Sequence, residues 1–281
     1  MFYSKLKSWA KINLSLHVIK KLPNNYNSIE SLITFAQIYD EIKIRTIFTK
    51  HNKISFSGKF SKGISKNNTI IKLLNLLEKK KLIKKNFELK LTKNIPQKSG
   101  MGGGSMNAAC ILKYLIKKNF LIISMKKANK LAYKIGADVA LGLEKKNSIL
   151  FKNGRIARVK NKMNFYVLIT KPKFGCSTES IFSKVSNYSK PSYVNVNKSF
   201  FQTKNLVKAH NDLENIVFKK YLIIKKLKYF LLSLPNVLFA RMTGTGSAMV
   251  AYFNSKNAAK KAAKIFKSKY RGYWCVVSKT I

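Results

Sequence analysis

The stretch Pro96–Asn107 (PQKSGMGGGSMN) constrains this chain more than any other. It places four glycines, Gly100, Gly102, Gly103 and Gly104, within five positions. Glycine loses more conformational freedom on folding than any other residue, so this density belongs where the backbone needs positive φ or a close approach. The stretch follows an alternating strand pattern, Phe87 to Leu91, and precedes a helical pattern from Ser105 to about Lys118. A strand, a glycine loop and a helix in that order point successive N–H groups at an anion, and the helix start adds partial positive charge. Ser105 and Asn107 add side-chain donors or a hydroxyl that can face a metal. The spacing matches neither G-x-x-x-x-G-K-[ST] nor G-x-G-x-x-G, so the loop is not a Walker loop or a dinucleotide fingerprint. Phosphate binding explains it better than a flexible turn does.

Around the loop, the chain reads as a mixture of strands and helices without a regular βαβ rhythm, which favours an α+β fold. Alternation predicts strands over Asn13 to Lys20 and Glu41 to Phe48, with a turn at Leu22 to Asn27 between them. Helical spacing covers Asn68 to Ile83, with Asn67 or Asn68 as N-cap, and Ser124 to Ile135, ending at Gly136. Short strands follow at Ser148 to Phe151 and Ile156 to Val159. Beyond residue 160 the pattern gives a strand at Phe165 to Thr170, a short helix at Thr178 to Val185 and a long one at Asp212 to Leu234. Strands at Val237 to Met242, Ala248 to Phe253 and Tyr273 to Ser278 complete it, with a helix at Asn257 to Ser268. The expected division is two domains, 1–159 and 160–281.

Composition limits the class. With 46% hydrophobic and 12% aromatic residues the chain can bury a large core and is not a disordered polycation. Three distant cysteines exclude a disulfide scaffold and fit a reducing compartment. Lys and Arg number 56 against 10 Asp and Glu, but only five of the bases are Arg. Readers of nucleic acid lean on the planar Arg fork. Lys, Asn, Ile, Phe and Tyr are abundant together, the mark of an A/T-biased genome rather than of a polyanion partner. No stretch resembles a leader or a membrane span, because Lys225, Lys226 and Lys228 interrupt the most apolar region. A cytoplasmic protein is expected. His17, His51 and His210 are scattered and no Cys/His spacing suggests zinc.

Several stretches together resemble one family. The glycine loop, Ala10–His17 (AKINLSLH), Gly136–Val139 (GADV), Phe174–Phe182 (FGCSTESIF), Asn211–Glu214 (NDLE) and Ala240–Ser247 (ARMTGTGS) resemble the GHMP kinases in order and spacing. The resemblance is strongest to the members that act on a cytidine diphosphate-linked methylerythritol. It implies an N-terminal ATP-binding domain of the ribosomal protein S5 domain 2-like type, a ferredoxin-like C-terminal domain and an active site in the cleft between them. It also implies ATP as co-substrate, Mg²⁺ bound mainly to the ATP phosphates, and a monomer or weak homodimer.

The resemblance carries over residue by residue. Lys11 and Asp138 become the catalytic pair, Asp138 accepting the proton of the attacking hydroxyl and Lys11 offsetting negative charge. Pro96, Gln97, Lys98, Ser99, Gly100, Met101, Gly102, Gly103, Gly104, Ser105 and Met106 become the ATP loop. Asn13, Tyr26, Asn27, Phe182, Thr243 and Gly244 fall to the acceptor substrate, with Tyr26 and Phe182 sandwiching the cytosine. Three positions depart from the pattern: Asn27 where a histidine is usual, Met106 where a second serine is usual, and Ala140 where a proline is usual. The rival readings are a GHMP kinase for another alcohol, such as homoserine or mevalonate, and a basic nucleic-acid-binding protein on a kinase fold.

Overall fold

Alternating apolar residues build the first layer. Ile42 and Ile44 of the strand Asn27–Ile47 sit opposite Leu91 and Leu89 of the antiparallel strand Asn86–Thr92, and all four are buried. Lys53–Ser57 adds to the same strand in parallel, with Ile54 opposite Leu89. The computed structural model describes residues 2–23, 26–161 and 163–281. The turn at Leu22 to Asn27 includes positions 24 and 25, which lie outside the described residues.

The chain folds as two units, neither contiguous in sequence. The first comprises Met1–Lys11, Ile38–Gln97 and Gly102–Lys145; the second comprises Ile12–Gln37, Lys98–Met101 and Lys146–Ile281. In the first, helices Thr69–Lys79, Gly103–Lys117, Met125–Ile135 and Ala137–Gly142 pack on one another. Thr69–Lys79 buries Ile70, Leu73, Leu74 and Leu77, and Asn68 caps it by accepting from the Ile70 and Ile71 N–H groups.

The second unit contains four antiparallel strands in the spatial order Trp274–Lys279, Tyr166–Lys171, Met249–Phe253, Phe239–Met242. Helix segments stand between the first and second of these strands in sequence and Lys256–Lys269 between the last two, the ferredoxin-like βαββαβ order. Leu168, Ala251 and Phe253 face Leu227, Ala259 and Phe266 in one apolar core. No helix among the described residues is long and apolar enough to cross a membrane.

Several boundaries differ from the sequence reading. The strand expected at Asn13 to Lys20 is two strands, Ser4–Asn13 and His17–Lys21. Hydroxyls interrupt it: the Leu14 N–H donates to the Leu32 carbonyl, while Ser15 Oγ accepts from the Leu32 N–H at 3.0 Å. The expected Glu41 strand is the end of a 21-residue strand whose first half is rich in polar residues. The long helix at Asp212 to Leu234 breaks at Tyr221, giving Leu213–Lys220 and Leu222–Leu232. The helix after the loop begins at Gly103, two residues before Ser105.

Candidate active site

In the first unit, the predicted catalytic pair meets. Lys11 Nζ lies 3.2 Å from Asp138 Oδ2. The lysine is 4% exposed, and the aspartate side chain is 37% exposed, so one partner is enclosed and the other remains reachable. Asp138 stands in the first turn of Ala137–Gly142, a short helix that the sequence reading did not include. Gly136, in extended backbone, ends Met125–Ile135 and starts that second helix.

The glycine loop touches this pair. Gly102 is the N-cap of the helix Gly103–Lys117, in left-handed backbone with φ 67°. A Cβ on Gly102 would lie 3.4 Å from Lys11 Cε and 3.5 Å from Asp138 Oδ2. No side chain caps this helix and its first turn contains no acid. The start of a 15-residue helix therefore presents its N–H groups and partial charge next to a Lys–Asp pair. Ser105 is half-buried in the first turn. Met106 faces inward against Gly142, and its N–H is committed to the Gly102 carbonyl. Pro96 is buried, and Gln97 Nε2 donates to the carbonyls of Phe60 at 2.8 Å and Lys62 at 2.7 Å.

In the second unit, the other half of the loop meets the second glycine turn. The Lys98 carbonyl accepts from the N–H groups of Cys176 and Ser247, and the Ser99 carbonyl accepts from that of Ala248. Met101 is fully buried. Thr243 Oγ1 donates to the Gly100 carbonyl at 3.2 Å and accepts the Asn13 N–H at 3.0 Å. Asn13 Nδ2 donates in turn to Ser31 Oγ at 2.8 Å. Asn211 explains the Asn-Asp-Leu-Glu stretch: its Nδ2 donates to the carbonyls of Met242 and Gly244, at 2.9 and 2.8 Å. Glu214 Oε1 accepts the Met242 N–H at 2.7 Å. The second turn is thus held from below by side chains and is no plain hairpin.

Tyr26 is 73% exposed, and its carbonyl accepts from the Leu22 N–H. Asn27 begins its strand half-buried, and Phe182 packs half-buried against the apolar core.

Two of the histidines read as scattered come together. The rings of His17 and His210 are 4.7 Å apart, and Tyr193 stacks on His17 at 5.5 Å. The Leu16–Asn211 bridge causes this, although the residues lie far apart in sequence. Burial lowers the His17 pKa from the ordinary 6.5, and His210 and Arg241 push it the same way, against Asp212 and Glu30. The folded protein holds His17 neutral where an unfolded chain takes up a proton. Stability is therefore full above pH 6.5 and falls as pH drops through the lowered value. In calorimetric melts from pH 7.5 to 5, His17→Phe should flatten this decline. Parallel curves for the two proteins would refute the assignment.

Known proteins share this chain's sequence and fold. Residues 68–145 match the GHMP kinases N terminal domain, and residues 201–272 match the GHMP kinases C terminal domain. The chain is 49% identical over 278 residues to the 4-diphosphocytidyl-2-C-methyl-D-erythritol kinase of Pelagibacter ubique (strain HTCC1062), covering 99% of each. Among solved structures, a 4-(cytidine 5'-diphospho)-2C-methyl-D-erythritol kinase aligns with TM-score 0.77 at 20% identity, covering 98% of this chain and 99% of that one. Homoserine kinase from Cytophaga hutchinsonii aligns with TM-score 0.69 at 16% identity, covering 99% and 97%, so the fold is shared beyond one substrate. The chain belongs to the GHMP kinase family.

Proposed function

We propose that the chain transfers the γ-phosphoryl group of ATP to the 2-hydroxyl of 4-diphosphocytidyl-2-C-methyl-D-erythritol. The products are the 2-phosphate and ADP, in isoprenoid precursor synthesis by the methylerythritol phosphate route, in the cytoplasm. The observation that carries the mechanism is the Lys11–Asp138 pair set against the uncapped helix start. Identity to the Pelagibacter kinase along the full chain supports the choice of acceptor.

Phosphoryl transfer through a loose transition state asks the protein for position and charge more than for covalent chemistry. Asp138 orients the hydroxyl and takes its proton as the O–P bond forms. Lys11 keeps that carboxylate in place and offsets charge on the moving phosphoryl group. The N–H groups at Gly102 to Ser105 receive the triphosphate. Asn13, Tyr26, Asn27, Phe182, Thr243 and Gly244 are assigned to the acceptor. Asn27 offers one donor and one acceptor and so can still read a base edge.

Among the described residues no group of three or more His, Cys, Asp or Glu stands ready to hold a metal. Mg²⁺ bound chiefly to ATP phosphates would fit this sparse donor set, with the Ser105 hydroxyl as the oxygen the protein would add. Such an ion supplies charge neutralisation on the phosphates.

The test is ADP release with the cytidine compound, homoserine and mevalonate in parallel. Turnover confined to the cytidine compound is the expected result. Turnover with homoserine or mevalonate alone would replace the acceptor assignment.

A further inference from the structure

One carboxylate in the first unit gathers an unusual set of donors. Asp40 is fully buried in the strand Asn27–Ile47. Its Oδ1 accepts the N–H groups of Asn94 at 2.8 Å and Ile95 at 2.9 Å. Its Oδ2 pairs with the Lys93 ammonium and accepts from Asn107 Nδ2 at 3.1 Å. Lys93 and Asn107 are themselves buried. Asn107 leaves its own Oδ1 without a partner among the described residues, so its orientation follows from the bond to Asp40.

These donors bracket the glycine loop. Residues 93–95 are the last before it, and Asn107 is one turn into the helix that follows, on the same face as Gly103. Lys93 Nζ lies beside the start of that helix, 3.6 Å from where a Gly103 Cβ would stand. Fixing both ends of a flexible segment to one buried group removes much of the freedom it would otherwise lose on meeting its ligand.

We propose that Asp40 is a positioning residue for nucleotide binding. Its carboxylate closes the base of the loop by holding the strand that enters it and the helix that leaves it, and it keeps the Lys93 ammonium beside Gly103. This rests on the reading that the loop receives the ATP triphosphate.

The sign of the effect separates this role from a passive ion pair. If Asp40 merely neutralised Lys93, Asp40→Asn would leave one more positive charge near the triphosphate and tighten binding. A positioning role predicts the reverse. Titration calorimetry of the full chain with a non-hydrolysable ATP analogue should show affinity weakened about tenfold or more in Asp40→Asn. Asn107→Ala, which removes only the helix-side tie, should weaken it less. At saturating ATP, kcat and the acceptor KM should stay within about threefold. Unchanged or tighter nucleotide binding in both variants overturns the proposal. So does a fall in kcat with the ATP KM unchanged, which marks a loss of folded protein. If Asp40→Asn fails to fold, Asn107→Ala carries the same comparison. Amide exchange on the unaltered protein tests the underlying reading separately. The analogue should protect Gly102 to Ser105, and no protection there overturns the loop assignment itself.

Discussion

Asp138→Asn is expected to lower kcat by about 10²-fold or more, with ATP affinity within about twofold of the parent protein. The amide has the size of the carboxylate and still accepts a hydrogen bond, so the acceptor hydroxyl can dock. It cannot take the proton, which must then leave to water as the O–P bond forms. The substitution also strips Lys11, 4% exposed, of the carboxylate 3.2 Å away. Removing a negative charge beside the helix start gives ATP no reason to bind less tightly. Steady-state kinetics with a calorimetric ATP titration check both halves. Unchanged turnover removes Asp138 from the mechanism, and a pure rise in the ATP KM moves it to nucleotide binding.

Gly100→Ala is expected to destabilise the protein by more than about 3 kcal/mol, a fall in Tm on the order of 10 °C. Gly100 has φ 76°, and a methyl there would enter the Thr243 carbonyl oxygen and lie 2.8 Å from its carbon and 3.1 Å from the Gly246 nitrogen. All three are backbone atoms of the second glycine turn, so no side chain can swing aside. Gly154 provides the control: its φ is 82°, but a Cβ would meet nothing within 4 Å. Gly154→Ala should therefore show only the left-handed penalty of about 1–2 kcal/mol. Thermal melts of the two variants isolate the close approach, and equal shifts would remove it from the account.

The parts legible in the sequence were those whose cause is local. The alternation Ile42–Ile44 gave a strand, Asn68 gave a cap, and the glycines gave a loop leading into an uncapped helix start. Lys11 and Asp138 became visible only through resemblance, since one lysine among many has no signature of its own. What stayed hidden depends on groups distant in sequence. Asp40 reads as one of two adjacent acids in Ile38–Glu41, and nothing nearby announces its bonds to Asn94, Ile95 and Asn107. The sequence reading starts this strand at Glu41, whereas the structure starts it at Asn27. In its first half Ser31 Oγ accepts from Asn13 Nδ2 and Glu30 Oε2 accepts from the Ser192 and Tyr193 N–H groups, while Glu30 Oε1 is buried with no partner among the described residues. The pairing of His17 with His210 likewise needs the chain to return across most of its length.

The unsealed start of Gly103–Lys117 has a thermodynamic consequence for the protein in a cell. A Ser, Thr or Asp cap contributes roughly 1 kcal/mol to a helix, and this helix forgoes it. On the proposed reading the nucleotide supplies the missing acceptors, so stability becomes a function of occupancy. Ligand at 100 times its Kd adds about 2.7 kcal/mol, more than the absent cap. On that reading the empty protein is the less protected form, and withdrawing ATP would raise the fraction that opens locally to a protease.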